Sequence, residues 1–285
     1  MPYAIDLFCG AGGMSEGLIQ AGFHILFSSD INPDVQRTYM NRHEQLGLHQ
    51  GVNTYFHRGD IRELTGNLIN EKIGNLEIFR NRDVPEIDAV FGGPPCQGFS
   101  MANRQRLIDD PRNHLYKSYV EVVKKVHPKF FVMENVKGML SVAEQVKEDF
   151  RAIGYSVECH ILNAKNFGVP QNRERLIYIG NCLGVDNEQI FNEIFALSEN
   201  IPEHNLGDAL FALRELEASR VKNSTESGSI ESGYKIEKNN ITETNDYILY
   251  INQDRTVNVV SNHKARYNND RDIEIYGRME PGDRS

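Results

Sequence analysis

The segment FGGPPCQGFS, residues 91–100, joins an apolar run to a turn that carries a cysteine. Residues 87–91 are mainly apolar and predict a short buried strand. Because glycine reaches backbone angles closed to other residues and proline fixes φ, the two glycines and two prolines predict a stiff, sharp turn after it. That turn presents the sulfur of Cys96 at the carboxyl end of a strand, where ligands bind in open α/β sheets. A structural turn that merely contains a cysteine is the alternative.

Strand-like and helix-like segments alternate on both sides of this turn. Further strands are predicted at apolar runs in residues 3–8, 24–29, 55–58, 129–133, 155–162 and 176–179. Helices are predicted where apolar residues recur at helical spacing, in residues 115–126 and 142–153. This alternation predicts an α/β protein with a doubly wound, mostly parallel sheet.

A glycine-rich segment, CGAGGMSEGL at residues 9–18, follows the first predicted strand and opens a helix. Small residues at a helix start let a ligand approach backbone N–H groups. Asp30 ends the second strand, about 20 residues past the glycines, where a carboxylate can bind ribose hydroxyls. Asp60 ends the third strand in an equivalent place. A tight turn without a ligand and helix-capping aspartates are the alternative interpretations.

The composition is that of a globular protein with a sizeable core, since 40% of the 285 residues are hydrophobic and 25% are charged. The sequence has no apolar run of bilayer length and no secretory leader, so we expect a cytoplasmic protein. Its four cysteines are widely separated and lack metal-ligand spacing. We therefore expect neither a zinc site nor a disulfide framework.

The net charge of −9 at first disfavours a nucleic-acid partner. Residues 186–246 hold 13 Asp/Glu and 5 Lys/Arg, a net of −8, which leaves −1 on the rest of the chain. Arg104, Arg106 and Arg112 closely follow Cys96. A local basic face beside the cysteine is thus compatible with the total charge, and solvated surface arginines are the alternative.

Composition also suggests a division of the chain into three parts. Residues 1–185 are predicted to form one domain, and residues 186–246 an acidic variable loop or linker. Residues 247–285 hold two strand-like pieces, at 247–251 and 256–260, and no long closing element. We interpret this last part as the start of an incomplete region.

The residues around Cys96 suggest a particular chemistry. A cysteine nucleophile acts as its thiolate, of which only a few per cent is present at neutral pH without a perturbing neighbour. Arg173 and Arg175 are candidate cations, and Glu134, after the next strand, is a candidate acid. A helix-capping carboxylate and a surface ion pair are the structural alternatives. Without a histidine base this set does not suit a cysteine protease, but it suits attack on an electron-poor ring.

Several segments resemble, in order and spacing, the motifs of the bacterial DNA (cytosine-5)-methyltransferase family. They are DLFCGAGG at residues 6–13, PPCQ at 94–97, DPRNHLY at 110–116, ENV at 134–136 and Q-x-R-x-R at 171–175. The resemblance covers roughly residues 3–180. It implies a Rossmann-like methyltransferase fold, S-adenosyl-L-methionine as cofactor, and transfer of its methyl group to C5 of cytosine in double-stranded DNA.

The resemblance also implies roles for individual residues. The target cytosine would be swung out of the duplex, Cys96 would add to C6, Glu134 would protonate or hydrogen-bond N3, and Arg175, with Arg173 nearby, would hold O2. Asp30 would bind the ribose and Asp60 the adenine amine, while Cys9 would have no catalytic task. The residues expected around the cofactor are Phe8, Gly10, Gly12, Asp30, Ile31, Asp60, Ile61, Pro94 and Leu115.

The sequence departs from the family pattern after residue 260. VSNHKAR at residues 260–266 resembles the approach to the target-recognition region, but we find neither the Arg-rich motif nor the Asn-Val motif that follow in the family. We therefore expect a truncated chain or a partner chain that supplies the rest. A tRNA cytosine methyltransferase and a non-catalytic binding module are the competing interpretations of function.

Overall fold

The chain forms two compact units in the computed structural model, which describes residues 1–80, 82–95, 115–219, 238–240, 243–252, 259–261, 264–265 and 267–279. The first unit comprises Met1–Phe167 and Asn172–Ile201. The second comprises Gly168–Gln171 and Pro202–Ser285. The divisions expected at residues 185 and 246 stay predictions.

The first unit contains a seven-stranded sheet with the order β3-β2-β1-β4-β5-β7-β6. Its strands are β1 Tyr3–Leu7, β2 His24–Asp30, β3 Tyr55–Arg58, β4 Ala89–Gly92, β5 Phe130–Val136, β6 Ser156–Asn163 and β7 Glu174–Asn181. Neighbouring strands pair in parallel except β7, which is antiparallel to both β5 and β6. The predicted doubly wound, mostly parallel sheet is confirmed.

Helices cover both faces of this sheet. They are α1 Gly13–Gln20, α2 Pro33–Gln45, α3 Gly66–Gly74, α4 Leu115–Val126, α5 Ala143–Arg151 and α6 Asn187–Ser198. Buried side chains of α3, α4 and α5 share one core with the strands, while α1 packs on the opposite face. Helix α6 lies within the segment predicted as an acidic loop, and neither α3 nor α6 was predicted from the sequence.

The direction of β7 determines which residues meet at one edge of the sheet. Strands β1 to β5 run parallel, so their carboxyl ends share an edge. Because β7 runs the other way, its first residues lie at that same edge, and Arg175 pairs with Val136 at the end of β5. The motifs before and after β5 therefore converge in space.

The second unit contains the helices α7 Leu206–Leu210, α8 Asp246–Ile251 and α9 Asp270–Arg278. Strands β8 Lys238–Asn240 and β9 Val259–Ser261 form an antiparallel pair. The strand predicted at residues 247–251 is wrong, because that segment is α8. The Asn245 side chain caps this helix by accepting a hydrogen bond from the Ile248 N–H at 2.8 Å, and a short apolar run does not distinguish a strand from a helix. None of the described helices combines the length and apolar character that a bilayer crossing needs.

Candidate active site

The glycine-rich loop after β1 is fixed by backbone hydrogen bonds to the end of β2. The Cys9 N–H donates to the Ser29 carbonyl at 3.1 Å, and the Gly10 N–H donates to Asp30 Oδ2 at 3.1 Å. Phe8 has a φ of 55°, a left-handed conformation that costs a non-glycine residue about 1–3 kcal/mol and is concentrated at functional sites. The strand-to-helix turn is thus held in one conformation by Ser29 and Asp30.

A cavity of about 400 Å³ opens beside this loop. Its walls come from the loop or strand ends after β1, β2, β3 and β4 and from the start of α4. The lining residues are Phe8, Ser29, Asp30, Ile31, Gly59, Asp60, Ile61, Arg62, Gly93, Pro95 and Leu115. Six of the nine residues expected around a cofactor therefore line one cavity, namely Phe8, Asp30, Ile31, Asp60, Ile61 and Leu115.

The other three expected residues are not among those that line the cavity. Gly10 holds Asp30 through its N–H, Gly12 packs against the rings of Tyr39 and His43, and the Pro94 carbonyl accepts a hydrogen bond from Asn135. Five wall residues were missed from the sequence: Ser29, Gly59, Arg62, Gly93 and Pro95. All five directly adjoin predicted residues, so extending each motif by one position would have found them.

Two carboxylates, those of Asp30 and Asp60, line the cavity. Asp30 Oδ1 accepts a hydrogen bond from the Asn32 N–H at 2.9 Å. The Arg62 side chain and the Arg62 N–H both donate to Asp60 and lower the pKa of that carboxyl group to about 2. Ile31, which also lines the cavity, exposes 65% of its surface. The cavity thus combines fixed hydrogen-bond acceptors with an accessible apolar side chain.

Glu134 and Arg175 form an ion pair at the same sheet edge. Arg175 Nε lies 2.6 Å from Glu134 Oε1, and about a quarter of each side chain is exposed. Glu134 is opposite Ile177 in the antiparallel pair, so Arg175, two residues from Ile177, projects from the same face. Arg175 Nη1 also donates to the Glu174 carbonyl at 2.8 Å. Strand register alone brings together two residues 41 positions apart in the sequence.

The turn after β4 approaches this pair. Asn135 faces away from Glu134, because side chains alternate along a strand, and its Nδ2 donates to the Pro94 carbonyl at 3.0 Å. A Cβ placed on Gly93 would lie 3.0 Å from Glu134 Oε2. The neighbouring residues of the segment ENV therefore have different contacts. Asn135 holds the turn after β4, while Glu134 pairs with Arg175. Cys96 follows Pro95 directly and lies outside the described residues, as do Arg104, Arg106 and Arg112.

Arg173, a candidate cation, and Cys9, which was expected to have no catalytic task, take no part in the ion pair. The Arg173 side chain is exposed, and its backbone N–H donates to Asn163 Oδ1 at 3.1 Å. Cys9 is 6% exposed, and burial together with the charges of Asp6 and Asp30 raises the pKa of its thiol far above the ordinary value. A thiol in that state supplies no thiolate at neutral pH.

Comparison with known proteins gives the family. A model described as C-5 cytosine-specific DNA methylase matches residues 3–282. The chain belongs to this family. Among curated relatives, the Type II methyltransferase M1.HphI of Haemophilus parahaemolyticus is 39% identical over 75% of this chain and 53% of its own length. The Type II methyltransferase M.FnuDI of Fusobacterium nucleatum is 36% identical over 74% of this chain and 55% of its own length. The chain spans about half the length of these curated relatives.

A solved structure shares the fold. A prophage-encoded protein from E. coli, assigned as a DNA modification methyltransferase, superposes with a TM-score of 0.69 at 22% identity. The alignment covers 99% of this chain and 77% of the other. The fold class implied by the motifs is therefore confirmed.

Proposed function

We propose that this chain carries the catalytic machinery of a DNA (cytosine-5)-methyltransferase. The observation that carries the proposal is the Glu134–Arg175 ion pair, which faces Gly93 three residues before Cys96. An acid, a cation and a nucleophile-bearing turn thus share the sheet edge with a cavity of cofactor size. Membership of the family supports the same reaction.

S-adenosyl-L-methionine is the proposed occupant of the cavity, where its sulfonium would supply an electrophilic methyl group. The donor set fits, because the Asp30 carboxylate can accept from ribose hydroxyls and Asp60 from an adenine amine. Asp60 already accepts from Arg62, so the amine would share or displace that contact. Ile31, Ile61, Leu115 and the Phe8 ring supply apolar surface for a flat heterocycle.

The chain's own residues would act on a cytosine extruded from the duplex. The Cys96 thiolate adds to C6 while Glu134, in its protonated form, gives its proton to N3, which makes C5 electron-rich. Arg175 holds O2 with its guanidinium and orients Glu134 through the ion pair. After C5 has taken the methyl group, a base removes the C5 proton, the Cys96 sulfur leaves C6, and N3 returns its proton to Glu134, which restores the ring and the enzyme.

Double-stranded DNA is the proposed partner, and a cytoplasmic location goes with that substrate. The family model describes a DNA methylase, and the curated relatives are Type II methyltransferases, which favours DNA over tRNA and supports a setting in restriction–modification. The non-catalytic alternative is disfavoured because the family model describes a methylase and the curated relatives are methyltransferases. A partner chain is not part of the proposal.

Covalent trapping tests the proposal most directly. The purified chain would be incubated with S-adenosyl-L-methionine and random-sequence duplexes that contain 5-fluorocytosine. Fluorine cannot leave C5 as a proton does, so the Cys96 adduct persists and migrates as a protein–DNA complex in denaturing gels. We expect an adduct that Cys96→Ser abolishes and that Glu134→Gln slows by roughly tenfold or more, as loss of a general acid does.

Glu174→Gln is the matched control, because Glu174 is an exposed, ion-paired glutamate on β7, next to Arg175. It should form adduct at the wild-type rate. Adduct formation that survives Cys96→Ser, or equal losses in Glu134→Gln and Glu174→Gln, would sink the proposed mechanism.

A further inference from the structure

Four buried side chains from four different elements form a hydrogen-bonded chain beneath the glycine-rich loop. Tyr39 of α2 places its hydroxyl 2.8 Å from Ser15 Oγ of α1 and 2.5 Å from Ser28 Oγ of β2. Ser15 Oγ in turn donates to Asp6 of β1. All four residues are at most 2% exposed. Tyr39 is therefore the link that joins both helices to both strands.

The direction of these hydrogen bonds follows from proton counting. Each hydroxyl has one hydrogen, and an ionised carboxylate only accepts. When Asp6 is ionised, Ser15 gives its hydrogen to that carboxylate and therefore accepts from Tyr39, which in turn accepts from Ser28. Loss of the Tyr39 hydroxyl would leave Ser28 without its acceptor and Ser15 without its donor in a buried site.

The Tyr39 ring also supports the loop directly. A Cβ on Gly12 would lie 3.2 Å from Tyr39 Cδ2 and 3.0 Å from His43 Cε1, so the glycine backbone rests on these side chains. The two rings are stacked, with centroids 3.7 Å apart and planes 9° apart. In the same loop, Gly10 holds Asp30 and Phe8 lines the cavity.

We propose that Tyr39 is a positioning residue for the cofactor. Its ring and hydroxyl hold the loop of residues 8–13 in the conformation that keeps Phe8 and Asp30 on the cavity wall. Tyr39 lies outside the motifs and outside the cavity, so it acts only through the loop. This inference rests on the proposed function, because it assigns the cavity to S-adenosyl-L-methionine.

The test compares removal of one hydroxyl at two buried tyrosines. Tyr39→Phe should weaken S-adenosylhomocysteine binding, measured by isothermal titration, by roughly three- to tenfold, the value of one net hydrogen bond. Tyr155→Phe is the matched control, because the equally buried Tyr155 donates to the Pro128 carbonyl at 2.5 Å, outside this hydrogen-bonded chain. It should lose similar thermal stability and keep the wild-type affinity. If Tyr39→Phe folds poorly, Ser28→Ala takes its place as a milder change in the same hydrogen-bonded chain. It should weaken S-adenosylhomocysteine binding by a smaller factor.

Hydrogen exchange without ligand separates this inference from the proposed function. Amides of residues 8–14 should exchange faster in Tyr39→Phe than in Tyr155→Phe at matched global stability. Equal exchange, or equal affinity in the two variants, would overturn the role of Tyr39. If the wild-type chain fails to bind S-adenosylhomocysteine while the exchange difference persists, the assignment of the cavity is wrong and the support of the loop by Tyr39 stands.

Discussion

Asp6 is a carboxyl group whose ionisation opposes folding. Burial raises its pKa to about 7, with the Ser15 hydrogen bond opposing this shift and the Asp30 charge adding to it. Between about pH 4 and pH 7 the unfolded chain has lost this proton while the folded chain retains it. The free energy of unfolding should therefore fall by up to about 1.4 kcal/mol per pH unit across that range, from this group alone.

Asp6→Asn should remove that component of the pH dependence, since an amide still accepts from Ser15 but does not ionise. We expect the variant to gain stability relative to wild type as the pH rises to about 7, with a constant difference above it, in urea unfolding. Asp88→Asn is the opposite-signed control. Burial raises the pKa of Asp88, but hydrogen bonds from Lys129 and the Tyr3 N–H outweigh this effect, so the pKa of the carboxyl group is lowered. The stability that ionised Asp88 contributes to the fold is therefore lost only in acid. Parallel profiles for wild type and Asp6→Asn would contradict the buried-acid interpretation.

Two adjacent glycines, Gly92 at the end of β4 and Gly93 directly after it, should respond differently to alanine. At Gly93 the new methyl would press on Glu134 Oε2 at 3.0 Å, so the carboxylate must shift while the core is untouched. At Gly92 the methyl would meet the Leu7 carbonyl at 2.7 Å and the Tyr119 ring at 2.8 Å, both inside the core. Gly93→Ala should slow adduct formation with 5-fluorocytosine DNA by roughly tenfold or more at nearly unchanged Tm.

Gly92→Ala should instead unfold at a lower temperature, by overpacking worth about 1–3 kcal/mol. Gly17→Ala, at an exposed position of α1 with open space around it, should raise stability by about 0.5–1 kcal/mol. If Gly93→Ala lowers Tm as much as Gly92→Ala, the contact with Glu134 is not what excludes a side chain at position 93.

Among the elements, α2 links the cavity to the support of the glycine-rich loop. Its N-cap, Asn32, accepts from the N–H groups of Asp34 at 2.8 Å and Val35 at 3.3 Å, and its own N–H donates to Asp30. Asn32→Ala should cost about 1 kcal/mol of stability, and Asn32→Asp, which retains a capping oxygen, should cost much less. Chemical denaturation of the three proteins is the measurement, and equal losses in both variants would exclude the cap as the cause.

Much of the sheet could be predicted from the sequence because its strands are apolar runs bounded by turn residues. Asp30 and Asp60 were predictable for a related reason, since an aspartate that ends a strand lies at the carboxyl edge of the sheet, whereas Phe8, Ile31, Ile61 and Leu115 were expected from the family resemblance. The Glu134–Arg175 contact depends on the antiparallel register of β7, which no local pattern encodes. Tyr39 lay beyond prediction because its role depends on packing among α1, α2, β1 and β2. Residues 247–251 of α8 were predicted as a strand because the run is too short to show whether its apolar residues follow a helical or a strand period.

At the scale of the whole chain, the proposed chemistry belongs to one unit. Every residue that lines the cavity, and both members of the Glu134–Arg175 pair, belongs to the first unit. Reading a DNA sequence requires side chains that reach base edges, which is a separate task from holding the cofactor. We therefore expect cofactor affinity and DNA recognition to respond to different substitutions.

A pair of substitutions, one in each unit, tests this separation. In the second unit, Asn245 caps α8 by accepting from the Ile248 N–H, and its Nδ2 donates to the Asp208 carbonyl of α7, each at 2.8 Å. Asn245→Ala should loosen this helix pair and weaken DNA binding while leaving S-adenosylhomocysteine affinity within about twofold of wild type, or roughly 0.4 kcal/mol. Asp30→Ala removes a charged acceptor from the cavity and should weaken that affinity by roughly ten- to hundredfold. Titration calorimetry measures S-adenosylhomocysteine affinity, and gel shifts on the same preparations measure DNA binding. Equal losses of S-adenosylhomocysteine affinity in the two variants would contradict the separation of the two tasks.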